Sequence, residues 1–118
     1  MALKDKIATT IGGGLISGMS IVVPNNAMFH CLFGKNISAI DPFYIHFVDA
    51  AALPADGPVT HKIAPMEVAP GYEFCLQLSL SPIVFIDGIC IYASSTDLDK
   101  TIILTEDMVA TLLYKDNT

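Results

Sequence analysis

The sequence has 118 residues, enough for one domain whose core forms without metals or disulfides. The net charge is −6 and all six basic residues are lysines, a balance that argues against nucleic acids and anionic membranes as partners, since arginine is preferred for phosphate contacts. The composition is 53% hydrophobic and 15% charged, and we expect the excess apolar surface to lie in an interface with other subunits or a partner.

The first 18 residues predict a flexible arm. Glycines at positions 12–14 and 18 loosen the backbone, and they lack the lysine and hydroxyl residue that follow the glycines of a phosphate-binding loop. No continuous apolar run of signal-peptide or transmembrane length occurs, so we expect neither a leader nor a membrane span.

Residues 19–118 predict short β-strands separated by turns. Apolar or alternating runs are interrupted by proline, glycine, asparagine and aspartate, and no stretch of ten residues has the 3.6-residue period of a helix. The predicted strands are residues 20–23, 28–33, 43–48, 61–68, 72–81, 83–94, 101–104 and 108–114. We therefore predict an all-β domain, an antiparallel β-sandwich of about eight short strands with jelly-roll topology. Immunoglobulin-like topology is less favoured, because the chain lacks tryptophan and a paired cysteine framework.

Local signals refine this prediction. Residues 34–36 predict a turn, and residues 49–58 predict a long exposed loop. Pro65 predicts an edge or bulged strand, because proline cannot donate to a ladder. Pro70 and Gly71 predict the centre of a type II turn.

Two strands alternate clearly enough to assign their faces. In residues 43–48, Phe43, Ile45 and Phe47 should face the core, and the residues between them should face outward or toward a partner. In residues 72–81, one face should be buried, and it consists of Phe74, Leu76, Leu78 and Leu80.

No catalytic or metal-binding constellation emerges from the sequence. The histidines His30, His46 and His61 lack a zinc-type pattern, and the cysteines Cys31, Cys75 and Cys90 read as buried free thiols. The acidic residues Asp97, Asp99, Glu106 and Asp107 read as solvated turns, because no calcium-loop pattern surrounds them. Asn36-Ile37-Ser38 matches a glycosylation sequon, but nothing marks the chain as secreted. We expect no cofactor, no metal and no enzymatic activity.

An ordered series of segments carries a family resemblance. The series is FYIHFVDAAALPADGPVTHKIAPMEVAPGYEF, then FIDGICIYASSTDLDKT, then DMVATLLYKD, and it covers about two-thirds of the chain. It resembles small structural proteins of tailed bacteriophages, most closely the head decoration or cement type. The arm lies outside the resemblance.

The resemblance implies a virion component that is made in the host cytoplasm and located on the capsid exterior. Such a protein would bind the major capsid protein as a homo-oligomer, with a trimer expected first and a dimer next, and would stabilise the head. The arm would supply the capsid-binding residues, which are Lys4, Ile7, Ile11, Leu15 and Ile16. The oligomer interface would come from outward strand faces, with Phe29, Phe33, Tyr44, His46 and Val48 as its residues.

The alternative function is a receptor- or glycan-binding module of a head or tail fibre. Exposed tyrosines of a sandwich can stack on sugars, and the candidates are Tyr44, Tyr72, Tyr92 and Tyr114. More often, a tyrosine in a strand forms a cross-strand pair at the sheet surface.

Overall fold

The structure is a computed structural model that describes residues 20–78, 80–101 and 108–116 in full and residues 5–10 through their backbone. The described residues form eleven strands and no helix. The strands are β1 (Asp5–Thr10), β2 (Ser20–Val23), β3 (Ala27–Asn36), β4 (Phe43–Asp49), β5 (Gly57–Pro58), β6 (Ile63–Val68), β7 (Glu73–Gln77), β8 (Ile83–Phe85), β9 (Ile89–Ser94), β10 (Asp99–Lys100) and β11 (Met108–Asp116). No helix able to cross a membrane occurs in this part of the chain.

Two antiparallel sheets form the sandwich. Sheet 1 has the order β1-β11-β3-β7, with β8 also pairing with β3, and sheet 2 has the order β2-β9-β4-β6. The short strands β5 and β10 form a separate ribbon. Without β5, β8 and β10, eight strands remain, and each sheet alternates early and late strands of the chain in the order of a jelly roll. The predicted fold class and topology are thereby confirmed.

The core lies between the two sheets and is rich in phenylalanine. Phe29 of sheet 1 meets Phe47 of sheet 2 edge to face, with ring centroids 5.7 Å apart. Phe43 of sheet 2 meets Phe74 of sheet 1 in the same way at 6.4 Å. Phe43, Phe47 and the intervening Ile45 are fully buried, which confirms the predicted inner face of β4.

Strand β3 is longer than predicted, because residues 34–36 continue it instead of forming a turn. A bulge at His30 adds one residue opposite the step from Leu113 to Tyr114 of β11. The bulge reverses the alternation, so that both Phe29 and Leu32 face the core. Gly34 lies inside the strand, where a Cβ atom would collide with Val109 O and lie 2.8 Å from a ring carbon of Phe74. Residue 34 is a glycine because neighbouring strands pack closely against it, and not because the chain turns there.

The predicted edge strand and turn are confirmed. Among the described strands, β6 pairs only with β4 and lies at the edge of sheet 2, and its register shifts where Pro65 lies. In the following turn, Tyr72 N–H donates to Ala69 O at 3.1 Å and Gly71 has φ of 76°. A positive φ after Pro70 defines a type II turn.

The predicted extent of one strand was wrong, and that of another falls mostly outside the described residues. Strand β7 ends at Gln77, because a turn closed by Ser81 N–H to Leu78 O follows it, and Leu80 is fully exposed rather than in the core. The predicted strand over residues 101–104 falls mostly outside the described residues.

The predicted arm contains a strand. Residues Asp5–Thr10, expected to be flexible, form β1 and pair with β11 from Asp5 opposite Lys115 to Thr10 opposite Ala110. The physical reason is local: Ile7 and two threonines favour extended backbone, and β11 offers an unpaired edge to them.

Candidate functional site

The outer face of sheet 2 is covered by the chain's own loop. Val48, Cys90 and Tyr92 project from this face and are buried beneath residues of the 49–62 connection, of which Ala50, Leu53 and Val59 make the apolar contacts. The loop predicted to be exposed therefore packs partly on its own sheet, while Ala51, Ala52 and Asp56 remain exposed.

A hydrogen-bonded histidine lies in this covered layer. His46 Nδ1 is 2.8 Å from Tyr92 Oη, and His46 Nε2 is 2.9 Å from the carbonyl oxygen of Thr96. Because a carbonyl only accepts, Nε2 carries a proton, and in the neutral ring Nδ1 accepts from the tyrosine hydroxyl. Burial lowers the pKa of His46, and the adjacent ring of His61, centred 4.5 Å away, lowers it further.

A buried lysine borders the same layer. The ammonium of Lys100 is 2.5 Å from a carboxylate oxygen of Asp56 and 5.5 Å from the centre of the Tyr92 ring. Lys100 is nearly inaccessible, whereas Asp56 is more than half exposed. The lysine therefore joins β10 to the covering loop through the ion pair and to Tyr92 of β9 through the cation–π contact.

The polar atoms of this layer are hydrogen-bonded within the chain. The hydroxyl of Tyr92 and both nitrogens of His46 are engaged with one another or with backbone, and burial raises the pKa of Tyr92 far above its ordinary value. His30 lies in the other sheet, so the three histidines do not meet. Among the described residues, no group of three or more histidine, cysteine or acidic side chains is arranged to hold a metal ion.

Asp49 fastens the crossover between the sheets. Its carboxylate accepts backbone N–H bonds from Ile86 at 2.9 Å, Asp87 at 2.7 Å and Gly88 at 3.3 Å, where the chain passes from β8 in sheet 1 to β9 in sheet 2. Burial tends to raise the pKa of Asp49, but these bonds and Lys62 lower it below its ordinary value. The predicted strand over residues 83–94 is therefore divided into β8 and β9, and the bend between them is anchored to β4.

The outer face of sheet 1 differs from that of sheet 2. It presents Phe33, which is 43% exposed, beside Cys75, and Cys31 lies diagonally across from Cys75 in the β3–β7 register. A depression of about 500 Å³ adjoins these side chains. Its lining residues are Phe33, Gly34, Lys35, Glu73, Phe74, Cys75 and Val109. On this face an exposed aromatic ring therefore lies beside an open depression.

The predicted oligomer-interface residues are divided by the structure. Phe29 lies in the core, and His46 and Val48 lie beneath the covering loop, so these three side chains are not available to a partner. The prediction missed the bulge at His30 and the covering loop. Phe33 is exposed and Tyr44 is half-buried, and only these two reach the surface.

The predicted capsid-binding residues lie mostly outside the described residues. Four of them, Lys4, Ile11, Leu15 and Ile16, lie outside the described residues. The fifth, Ile7, lies in β1 opposite Leu113. Of the acidic residues, Asp97 and Asp99 are exposed, in agreement with solvated turns, and Glu106 and Asp107 lie outside the described residues.

The tyrosines do not form one exposed platform. Tyr92 is buried, Tyr44 and Tyr114 are half-buried, and Tyr72 is 67% exposed at a turn. The sequon is also inaccessible, because Asn36 is fully buried and its amide donates to Asp41 O and Val68 O.

Sequence reasoning missed the layer formed by Tyr92, Lys100 and Asp56. Tyr92 follows His46 by 46 positions, and no spacing rule links them before the β4–β9 register places them opposite each other. One weak signal was available, because Tyr92 lies in a run with apolar residues on both faces, which is typical of a strand covered on both sides.

The fold therefore belongs to the jelly rolls, an architecture that occurs in viral capsid proteins, lectins and cupins. The sequence matches no family model and no curated protein. Among solved structures, it is similar to the coat protein of tobacco streak virus, with 9% identity and a TM-score of 0.45, over 96% of this chain and 86% of that chain. At this identity and score the likeness carries no argument about function.

Proposed function

We propose that the chain is a structural protein of a virus particle, specifically a capsid decoration protein. It binds the outer surface of the major capsid protein as a homo-oligomer and stabilises the head. Its chemistry is binding only, without catalysis.

The observation that carries this proposal is the jelly roll with two separate apolar surfaces. One surface is the outer face of sheet 1 around Phe33. The other lies at the end of the sandwich where Asn36 N–H donates to Tyr72 O, and it exposes Ile37, Ile40 and Tyr72. Two such surfaces on a small domain suit a protein that must contact both its own copies and a different partner.

Charge supports an external position. The net charge of −6 without arginine disfavours contact with packaged nucleic acid, because phosphate neutralisation supplies most of that affinity. The polar layer of His46, Tyr92 and Lys100 supports a binding role, because these groups hold the loop and present no reactive atom to solvent.

The test is decoration of phage heads that lack this protein. Purified protein is mixed with complete particles, with head, tail and fibres, that lack it. The particles are sedimented, and the added protein is located on them by cryo-electron microscopy. Regular density on the capsid lattice is the expected result. Density on a fibre or tail would support the receptor- or glycan-binding alternative, and failure to sediment with particles would overturn both.

The arm is tested without removing β1. The variant K4S/I11S/L15S/I16S keeps residues 5–10. Deletion of the whole arm would instead destroy the pairing of these residues with β11. We expect its occupancy on heads to fall at least about tenfold, a loss that a few buried apolar contacts can cause. Its thermal unfolding should match wild type. Wild-type occupancy would show that the capsid contact lies elsewhere on the domain.

A further inference from the structure

We propose that two copies of this chain associate through the outer face of sheet 1, in an isologous contact whose two-fold axis runs between β3 and β7. The inference deepens the proposed function, because it names the surface through which the homo-oligomer forms. It favours the dimer over the trimer. It concerns the free protein and is tested without capsids.

The face is complementary to itself in shape. Phe33 of β3 lies directly opposite Cys75 of β7, and the depression beside them is lined by Cys75, Glu73 and Phe74. A two-fold axis along the β3–β7 boundary places Phe33 of each copy over Cys75 of the other, at the depression. An exposed aromatic ring that enters a neighbouring depression is the typical anchor of an interface, and the symmetry supplies this anchor twice.

The face is also complementary to itself in charge. Lys35 lies directly opposite Glu73 in the same register. The proposed axis brings Lys35 of each copy to Glu73 of the other. A three-fold contact would not repeat this exchange, because a heterologous interface uses two different patches.

The acidic charge of the rest of the molecule favours this face for the association of two copies. The register places two residues of each sign on this face, Lys35 opposite Glu73 and Lys115 opposite Asp5, whereas the chain as a whole has 12 acidic residues against 6 lysines. Two acidic copies repel each other through most orientations, and they meet with least repulsion where each presents both signs.

The experiment uses two charge variants, Lys35→Glu and Glu73→Lys, in sedimentation equilibrium. Wild type should be a dimer. Each variant alone places like charges at both contacts, so its dissociation constant should rise at least about tenfold. A 1:1 mixture of the two variants restores opposite charges at both contacts between copies, while the Lys35–Glu73 pair within each chain remains mismatched. The mixture should therefore regain most of the wild-type affinity.

The mixture separates association from folding. If the variants merely weakened the sheet, mixing them would restore nothing, and that result would overturn the proposal. A monomeric or trimeric wild type would overturn it as well. The decoration assay remains a separate readout, so a monomer that still binds heads would remove this inference and leave the proposed function intact.

A second measurement locates the contact. In the single chain Cys75 is exposed, whereas Cys31 and Cys90 are buried. The proposed contact covers Cys75, so a maleimide should label it more slowly in the wild-type dimer than in the dissociated Lys35→Glu variant, and Cys75→Ser should abolish the labelling. Phe33→Lys should abolish the dimer, and Ile40→Lys, which changes a 78% exposed residue at the end of the sandwich, should not. Equal behaviour of these two lysine variants would contradict the assignment.

Discussion

At the scale of single residues, His46 shows how a titratable group can be built into a fold. Its two ring nitrogens are bonded to Tyr92 and Thr96, and the ring is fully buried. The neutral form satisfies both bonds, whereas a protonated ring would place a buried charge beside His61. The charge of Asp97 favours the protonated form, but it offsets the effect of burial on the pKa of His46 only in part. The neutral imidazole is therefore the state that fits the folded chain.

This arrangement predicts acid sensitivity. Because burial lowers the pKa of His46 in the folded chain, the unfolded chain, with an ordinary value of about 6.5, binds a proton first as the pH falls. The stability contributed by the neutral ring is complete above about pH 6.5 and decreases below it. Urea unfolding should show that wild type loses more free energy of unfolding toward acid pH than His46→Gln. Parallel pH profiles of the two proteins would contradict this assignment.

The hydroxyl of Tyr92 can be tested at neutral pH. Tyr92→Phe removes the donor to His46 Nδ1 and should cost about 1–3 kcal/mol, the usual penalty for a buried acceptor left unsatisfied. Tyr72→Phe is the matched control, since Tyr72 is exposed, and its free energy of unfolding should equal that of wild type. Equal stability of both variants would show that the hydrogen bond contributes nothing.

At the scale of elements, β3 is the strand on which sheet 1 depends. It pairs with β11 on one side and with β7 and β8 on the other. It follows its neighbours through the bulge at His30 and the close approach at Gly34. The alternating pattern of β3 predicts neither feature, because both are caused by contacts with the neighbouring strands.

Gly34→Ala tests whether residue 34 is in a strand or in a turn. In the strand, the added methyl group meets Val109 O, the Cα of Ala110 and the ring of Phe74, and overpacking should cost about 1–3 kcal/mol or more. Thermal unfolding by circular dichroism measures the loss. In an open turn the same change would be tolerated, so unchanged stability would place residue 34 outside the sheet.

At the scale of the whole molecule, β1 closes one edge of sheet 1. It pairs with one edge of β11 along six register positions, and this edge would otherwise be long and unpaired. The N-terminal segment thus has a role within the fold as well as the proposed role in capsid binding.

Two truncations separate these roles. Deletion of residues 1–10 removes β1 and should lower the melting temperature and increase aggregation, measured by light scattering, because the edge of β11 becomes available to other chains. Deletion of residues 1–4 leaves β1 intact and should behave like wild type in both measurements. If both truncations melt like wild type, β1 contributes nothing to the stability of the sandwich.

The all-β class, the sandwich and most turns could be predicted from the order of the residues alone. Phe43, Ile45 and Phe47 alternate with period two, and Pro65, Pro70 and Gly71 act through their own backbone chemistry, so these features are local and can be predicted. They are the elements that the structure confirms.

Which strand faces are exposed depends on long-range packing and could not be predicted in this way. His46 and Val48 were predicted to face a partner, but the loop that covers them reaches its position through the β4–β9 pairing and the Lys100–Asp56 ion pair. The bulge at His30 likewise turns Phe29 inward and leaves Phe33 outside. Burial depends on what packs against a strand from elsewhere in the chain, and period-two alternation carries no information about that.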